Sequence, residues 1–339
     1  MNPTVLSAVE NEKVSVAALH DSCHLRRGAP FAEKSASRGA ARTRAMIAAE
    51  RPLRRENSIM TPQQSAGDRT AQQLREHYEI EKQLAAKLRI ASRQERRHLY
   101  AAVYDELYQR VPHHPQLTRK SSPHETVAAV SWQMRFLRRF LDSDTTFLEI
   151  GPGDCALSFE VAKLARKVYA VDVSEEITRR SLPPDNFQLI LSDGCSIPLP
   201  RESVDVCYSN QLVEHLHPDD ALEQVRNIVQ VLAPGGIYIC ITPSRLTGPH
   251  DISRYFDTVA TGFHLREYTR TELSDLFKAV GFSRVSAYVG VKGRYLRLPV
   301  LPITWCEKLL SALPGTMRRA IGDRLPFRLL LESRLVGIK

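Results

Sequence analysis

Short apolar runs alternate with amphipathic stretches over residues 124–289 of the 339-residue chain. The spacing of these runs predicts strands and helices in turn. Strands are expected near residues 146–150, 167–171, 187–191, 204–209, 235–242 and 282–289. Helices are expected near residues 124–141, 155–165, 175–181, 218–232 and 271–280. This alternation is typical of an α/β fold, in which helices cover both faces of a mostly parallel sheet.

Two different segments precede this core. Residues 1–67 are basic and lack sustained periodicity, so we expect a disordered segment, or an extension upstream of a true start at Met60. Over residues 68–123, apolar side chains recur at helical spacing, as at Leu99 and Val103. We interpret residues 68–123 as a helical cap over the substrate site, or as an arm for packing or dimerisation.

Residues 290–339 follow the core and are rich in proline, leucine and arginine. We predict a lid or pocket wall here, with a last strand at residues 333–338. An amphipathic stretch around Trp305 lies beside several arginines, so a peripheral membrane surface is the alternative interpretation. No apolar run reaches the roughly 20 residues that cross a bilayer.

Composition adds only broad limits. The net charge of +9 is spread along the chain, which indicates a solvated basic surface rather than a binding patch. The six cysteines form no C-x-x-C pair and no His/Cys cluster with zinc spacing, so no metal site is predicted. Cys207 and Cys240 fall inside predicted core strands, where free thiols indicate a reducing compartment; we therefore expect a cytoplasmic protein.

The most specific chemistry lies at residues 147–155, where an apolar strand runs into a glycine-rich turn and then a helix. Glycines at 151 and 153 allow the backbone to approach a ligand closely, because no Cβ intervenes. A turn of this kind is where an α/β sheet binds a nucleotide-like cofactor.

The acids around this turn bear on which cofactor it holds. Glu149 precedes the first glycine, Pro152 lacks the N–H that a pyrophosphate would use, and Asp193 ends the third strand. These features disfavour NAD(P). They suit S-adenosylmethionine, which carries a sulfonium and an ammonium and has no phosphate.

The segment from about Phe147 to Phe282 resembles a class I S-adenosylmethionine-dependent methyltransferase, within the broad small-molecule group that includes quinone-biosynthesis enzymes. Five motifs occur in the matching order: Glu149-Ile150-Gly151-Pro152-Gly153, Val168-Tyr169-Ala170-Val171-Asp172, Ser192-Asp193-Gly194, Val204-Asp205-Val206-Cys207-Tyr208-Ser209-Asn210 and Leu232-Ala233-Pro234-Gly235-Gly236. One departure is Cys155, which stands where the family often has a third glycine. The resemblance implies a Rossmann-like, doubly wound, mostly parallel sheet of seven strands, the seventh antiparallel at residues 333–338.

The resemblance also implies the residues that hold the methyl donor. Gly151 and Gly153 lie against the methionine part, and Glu149 orders their loop and faces the ammonium through water. Asp172 binds the ribose hydroxyls.

At the other end of the donor, the resemblance implies that Asp193 accepts a hydrogen bond from the adenine amine, with the Gly194 backbone nearby. Ser209 and Asn210 leave the fourth strand toward the methyl group.

The acceptor side is less specified, because a sulfonium methyl is already activated and a base is needed only for a nucleophile that carries a proton. The candidates are His215 after the fourth strand, and His250 or Asp251 in the loop after the fifth strand. That loop opens at the carboxyl edge of the sheet, where ligands bind. His264 is interpreted as support for the next helix.

The sequence therefore predicts an enzyme that methylates a small-molecule, lipid or sugar-linked acceptor. Methylation of RNA or protein is an alternative, although the Asn/Asp-Pro-Pro-aromatic box that grips a flipped base is absent after the fourth strand. A non-catalytic cofactor-binding protein is a further alternative. The acceptor, the atom methylated and the oligomeric state stay open.

Overall fold

The structure is a computed structural model, and it describes residues 69–118, 123–173, 182–291, 294–325, 327–331 and 333–339. The predicted disordered segment 1–67, the alternative start at Met60 and the helix predicted near residues 175–181 lie outside the described residues.

A single mixed sheet forms the centre of the described part of the chain. Its strands are β1 (Thr146–Ile150), β2 (Lys167–Asp172), β3 (Phe187–Leu191), β4 (Val204–Asn210), β5 (Leu232–Thr242), β6 (Arg284–Val291), β7 (Arg294–Leu298) and β8 (Ser333–Ile338). They lie in the order β3-β2-β1-β4-β5-β8-β6-β7. The first five strands are parallel to their neighbours, and β8 is antiparallel to both β5 and β6. The α/β class and the mostly parallel, doubly wound sheet are thus confirmed.

The predicted number of seven strands is wrong by one. The sheet has eight, because β7 folds back on β6 as an antiparallel hairpin, with Ala287 opposite Leu298. This strand lies at the sheet edge, and Leu296 is 55% exposed. A short, arginine-bearing edge strand lacks the buried apolar run that identifies a central strand.

The core helices lie at the expected places, one before β1 and one each after β1, β4 and β5. They are α4 (Pro123–Leu137), α5 (Ala156–Ala162), α6 (Pro218–Val231) and α7 (Arg270–Val280). Local signals set the ends of α7: Thr269 and Glu272 form a capping box, and Gly281 ends the helix with φ of 110°.

The segment before the core is helical and packs on the sheet. It contains α1 (Ala71–Ile90), α2 (Arg93–Arg110) and the short α3 (Pro115–Thr118). Leu84 of α1 and Leu107 of α2 are fully buried in the same apolar cluster as Leu148 of β1. This packing brings α2 to the carboxyl edge of the parallel strands.

After β7 the chain forms α8 (Val300–Ser311), α9 (Gly315–Gly322) and α10 (Phe327–Leu331) before β8. On α8, Ile303 and Leu310 are buried, whereas Leu301, Trp305 and Leu309 are exposed. Among the described residues, no helix combines the length and the apolar character that crossing a bilayer requires.

Candidate active site

The glycine-rich turn after β1 has an unusual backbone. Gly151 and Gly153 have φ of 68° and 56°, and Cys155 has φ of 57°. These values lie in the left-handed region that glycine adopts without steric cost. Cys155 therefore has a backbone conformation that glycine would adopt more easily, and its side chain is fully buried.

This turn opens into a cleft of about 660 Å³ at the carboxyl edge of the sheet. Gly151, Gly153, Asp172 and Gly194 all line it. The volume is typical of a site for a small organic ligand.

Two of the glycines lie close to neighbouring side chains, so a Cβ there would be a tight contact. A Cβ at Gly151 would lie 3.1 Å from Leu212 Cδ1, and one at Gly194 would lie 3.3 Å from Tyr100 Cδ2. Together with the carboxylate of Asp172, these glycines form a narrow part of the cleft wall.

Asp172 ends β2 and is half-buried at the cleft wall. Its Oδ1 accepts a hydrogen bond from the Val173 backbone N–H at 2.6 Å. The carboxylate thus lies at the strand end, where the resemblance predicts the ribose hydroxyls.

Asp193 is engaged by its own turn instead of lining the cleft. Its carboxylate accepts from the backbone N–H groups of Cys195 at 3.0 Å and Ser196 at 2.7 Å, and from Ser196 Oγ at 2.9 Å. Partial burial opposes ionisation, but these hydrogen bonds hold the pKa of Asp193 below its ordinary value. Asp193 therefore shapes the turn that presents Gly194 to the cleft.

Ser209 and Asn210 do not line the cleft either. Ser209 is buried, with its Oγ 2.7 Å from Tyr238 Oη inside the sheet. The chain reaches the cleft one residue later, at Gln211, which has φ of 55°, and at Leu212.

His215 also lines the cleft and lies in a 3₁₀ turn over Val213–His215. Its Nδ1 is 3.1 Å from Tyr104 Oη of α2. Burial lowers the pKa of His215 to about 3, so the imidazole is neutral at pH 7.

His250 and Asp251 also line the cleft, but both make structural hydrogen bonds. Asp251 caps the 3₁₀ helix Ile252–Tyr255 through Ser253 N–H at 3.1 Å and accepts from His264 N–H at 3.3 Å. The His250 backbone N–H donates to Glu267 Oε1 at 2.7 Å. Burial raises the pKa of Asp251.

Glu267 also orients His264, a cleft residue interpreted from sequence only as helix support. His264 Nδ1 is 2.7 Å from Glu267 Oε1, and the His264 and His215 rings are 4.8 Å apart. Although burial opposes the charged form, Glu267 and Glu214 raise the pKa of His264. Burial likewise opposes ionisation of Glu267, but its histidine partners lower the pKa of that carboxyl to about 2.

Comparison with known proteins identifies the family of the central segment. Residues 148–240 match the family described as a methyltransferase domain. The chain contains a class I S-adenosylmethionine-dependent methyltransferase domain. S-adenosylmethionine is the cofactor of this domain.

Two mycobacterial proteins are similar to part of this chain. A probable S-adenosylmethionine-dependent methyltransferase from Mycolicibacterium smegmatis is 34% identical over 137 residues, which is 40% of this chain and 51% of that protein. One from Mycobacterium tuberculosis is 35% identical over 141 residues, covering 41% and 49% respectively. The chain thus spans about half the length of the curated relatives it matches.

Solved structures are similar at lower identity. Phosphoethanolamine N-methyltransferase 1 from Haemonchus contortus is 16% identical, with a TM-score of 0.46 over 73% of this chain and 50% of that chain. A methyltransferase from Archaeoglobus fulgidus is 16% identical, with a TM-score of 0.43 over 71% of this chain and 100% of that chain.

Glu149 lies in β1 just before the glycine-rich turn; it is buried and does not line the cleft. Ser158 Oγ donates to its Oε2 at 2.5 Å. Burial raises the pKa of Glu149 to about 8, so the carboxyl is largely protonated at pH 7 in the folded protein.

We expect Glu149→Gln to flatten the decline in stability between pH 5 and pH 8. The folded pKa of Glu149 lies above the unfolded value, so the wild type loses stability as pH rises between these two values. At pH 8 the free energy of unfolding of the variant should be roughly 2–5 kcal/mol higher than that of the wild type, as measured by urea denaturation. Glu160→Gln, on the same side of the turn in α5, is the control. Equal pH slopes for Glu149→Gln and the wild type would contradict this assignment.

Proposed function

We propose that the protein transfers the methyl group of S-adenosylmethionine to the hydroxyl of a small-molecule acceptor, free or carried on a lipid or sugar. The observation that carries the proposal is the continuity of the cleft. A single cleft is lined by Gly151, Asp172 and Gly194, which we call the donor end, and by His215 and His264, which we call the acceptor end.

Each end of the cleft supplies a different part of the chemistry. At the donor end, close backbone approach and the Asp172 carboxylate bind the nucleoside and fix its orientation. The bound cofactor supplies an activated methyl on a positively charged sulfur. Alignment and exclusion of water are then the main work left to the protein.

At the acceptor end, the histidines and acids assist the loss of the proton from the acceptor hydroxyl. An alcohol is a weak nucleophile until its proton leaves, so it needs a neighbouring acceptor or an electrostatic stabiliser. His264 is buried in that wall and oriented by Glu267, and neutral His215 lies beside it. This polar cluster favours a hydroxyl over an amine, which reacts in its neutral form without such help.

The helical segment forms part of the cleft wall. Tyr100, Tyr104 and Tyr108 of α2 line it, which supports the proposal that residues 68–123 act as a cap over the bound substrates. Tyr104 packs against Phe263 with ring centroids 4.8 Å apart, so the cap contacts the segment between β5 and α7 beside the cleft.

The first test is cofactor binding by titration calorimetry. Asp172→Ala is expected to raise the Kd for S-adenosylmethionine by roughly 10- to 100-fold, because hydrogen bonds to a charged carboxylate are lost. Asp185→Ala, an exposed acid before β3, is the control and should bind like the wild type. Equal affinity of Asp172→Ala and the wild type would remove the ribose assignment, and absence of binding to the wild type would overturn the proposed function.

A further inference from the structure

Glu214, His215 and His264 meet at the acceptor end of the cleft. One ligand atom from each lies within 4.8 Å of the others. Glu214 is fully buried, and its Oε2 accepts from Thr242 Oγ1 at 2.9 Å. Its Oε1 is buried without a hydrogen-bond partner among the described residues. A buried carboxylate oxygen without a partner is costly unless something positive binds there.

The ring of His264 is held in the way that metal-binding histidines are held. Its Nδ1 pairs with Glu267 Oε1 at 2.7 Å, which orients the other ring nitrogen, Nε2. Histidine ligands typically donate one ring N–H to a carboxylate while the other nitrogen binds the metal.

Two other groups of histidines, cysteines and acids in the described part of the chain already have cationic partners. In the group of His77, Glu81 and His114, Arg69 Nη1 lies 3.0 Å from His77 Nδ1. In the group of Cys195, Asp220 and Glu223, arginine side chains pair with both acids. Glu223 Oε2 is also buried without a hydrogen-bond partner among the described residues, but Glu223 Oε1 pairs with Arg93 and Arg97, so the charge of this acid is already compensated.

We propose that Glu214, His215 and His264 hold a divalent transition-metal ion. Two imidazole nitrogens and one carboxylate oxygen suit Zn²⁺, Fe²⁺ or Co²⁺ better than Mg²⁺, which prefers oxygen ligands. Three protein ligands leave a coordination position open toward the cleft.

The role of the ion, unlike its binding, rests on the proposed function. A cation at this place stabilises the deprotonated form of the acceptor hydroxyl. The proton leaves to solvent, the oxygen forms its bond to the methyl carbon, and the carbon–sulfur bond breaks with its electron pair remaining on sulfur.

Metal binding is measured on the full-length protein after treatment with a chelator. Dialysis against Zn²⁺ with elemental analysis should give one equivalent, and Co²⁺ should give visible absorption bands of a low-coordinate site. Glu214→Gln and His264→Gln should each weaken Zn²⁺ binding by about 100-fold or more, and Glu267→Gln by about 10- to 100-fold through the orientation of His264. His114→Gln and Glu223→Gln change the two groups that already have arginine partners, and these variants should bind Zn²⁺ like the wild type.

The outcomes separate this proposal from the methyltransferase activity. Wild-type protein that binds no Zn²⁺ or Co²⁺, or variants that bind as tightly as the wild type, overturn the metal site. Binding lost instead in His114→Gln or Glu223→Gln overturns it as well. Circular dichroism of each variant shows that it is folded. S-adenosylmethionine binding is measured in parallel. If the wild type binds S-adenosylmethionine but no metal, only the metal proposal is overturned. If the wild type does not bind S-adenosylmethionine, the proposed function is overturned.

Discussion

Replacing His264 with glutamine is expected to lower kcat by about 100- to 10,000-fold. The residue is 7% exposed at the acceptor end of the cleft, and Glu267 orients its ring. Glutamine can neither accept the proton of a hydroxyl nor replace a strongly bound imidazole. The expected loss is therefore the same whether His264 takes the proton itself or binds an ion that stabilises the deprotonated acceptor.

The measurement is turnover with labelled S-adenosylmethionine, first in a cell extract, where mass spectrometry identifies the compound that gains a methyl group, and then with that compound alone. The Kd for S-adenosylmethionine should stay within about twofold of the wild type. His98→Gln, on the exposed surface of α2, is the control and should retain full turnover. Full turnover in His264→Gln would exclude the residue from the chemistry, and an equal loss of donor binding would indicate a folding defect.

Most of the fold follows from local pattern. β8 lies at Ser333–Ile338, as predicted, and α7 ends at the predicted Gly281. Central strands are identifiable because all five residues of β1 are buried and three of them, Phe147, Leu148 and Ile150, are apolar. β7 is the exception, because its residues are mostly exposed at the sheet edge and so resemble a loop.

The donor end of the site was more accessible to sequence reasoning than the acceptor end. Gly151 and Asp172 follow β1 and β2, and the carboxyl ends of adjacent parallel strands meet at one edge. The spacing of motifs therefore places them together. His264 joins Glu214 only through the path of the chain after β5, which no local periodicity encodes.

Asp193 shows a different limit. Its position at a strand end indicates a ligand, but Asp193 is followed by Gly194, Cys195 and Ser196, a sequence that favours a turn closed by the aspartate side chain. The short polar side chain bonds to its own backbone. This local competition was visible in the sequence, and it decides which atoms of the turn face the cleft.

The cap helix α2 is attached to the core by a buried ion pair. Arg96 Nε lies 2.6 Å from Asp220 Oδ2, and Arg96 Nη2 lies 2.7 Å from Asp220 Oδ1. Tyr100 Oη donates to the same carboxylate at 2.6 Å. All three side chains are at most 4% exposed. Burial opposes ionisation, but Arg96 and Tyr100 hold the pKa of Asp220 below its ordinary value.

Asp220→Ala is therefore expected to lower the free energy of unfolding by about 3–5 kcal/mol at pH 7, because it leaves the Arg96 charge buried without its carboxylate. The folded pKa of Asp220 is below the unfolded value, so the wild-type advantage is present above about pH 4 and is lost as pH falls through the folded pKa. Urea denaturation at pH 7 and pH 3 measures both effects. Asp219→Ala is the control: this neighbouring acid is exposed and lies 4.0 Å from Arg96, so its loss should matter little. Equal destabilisation by the two substitutions would contradict the assignment.

Because Tyr100 also packs against Gly194 at the donor end, Asp220→Ala should weaken S-adenosylmethionine binding as well, even though Asp220 does not line the cleft.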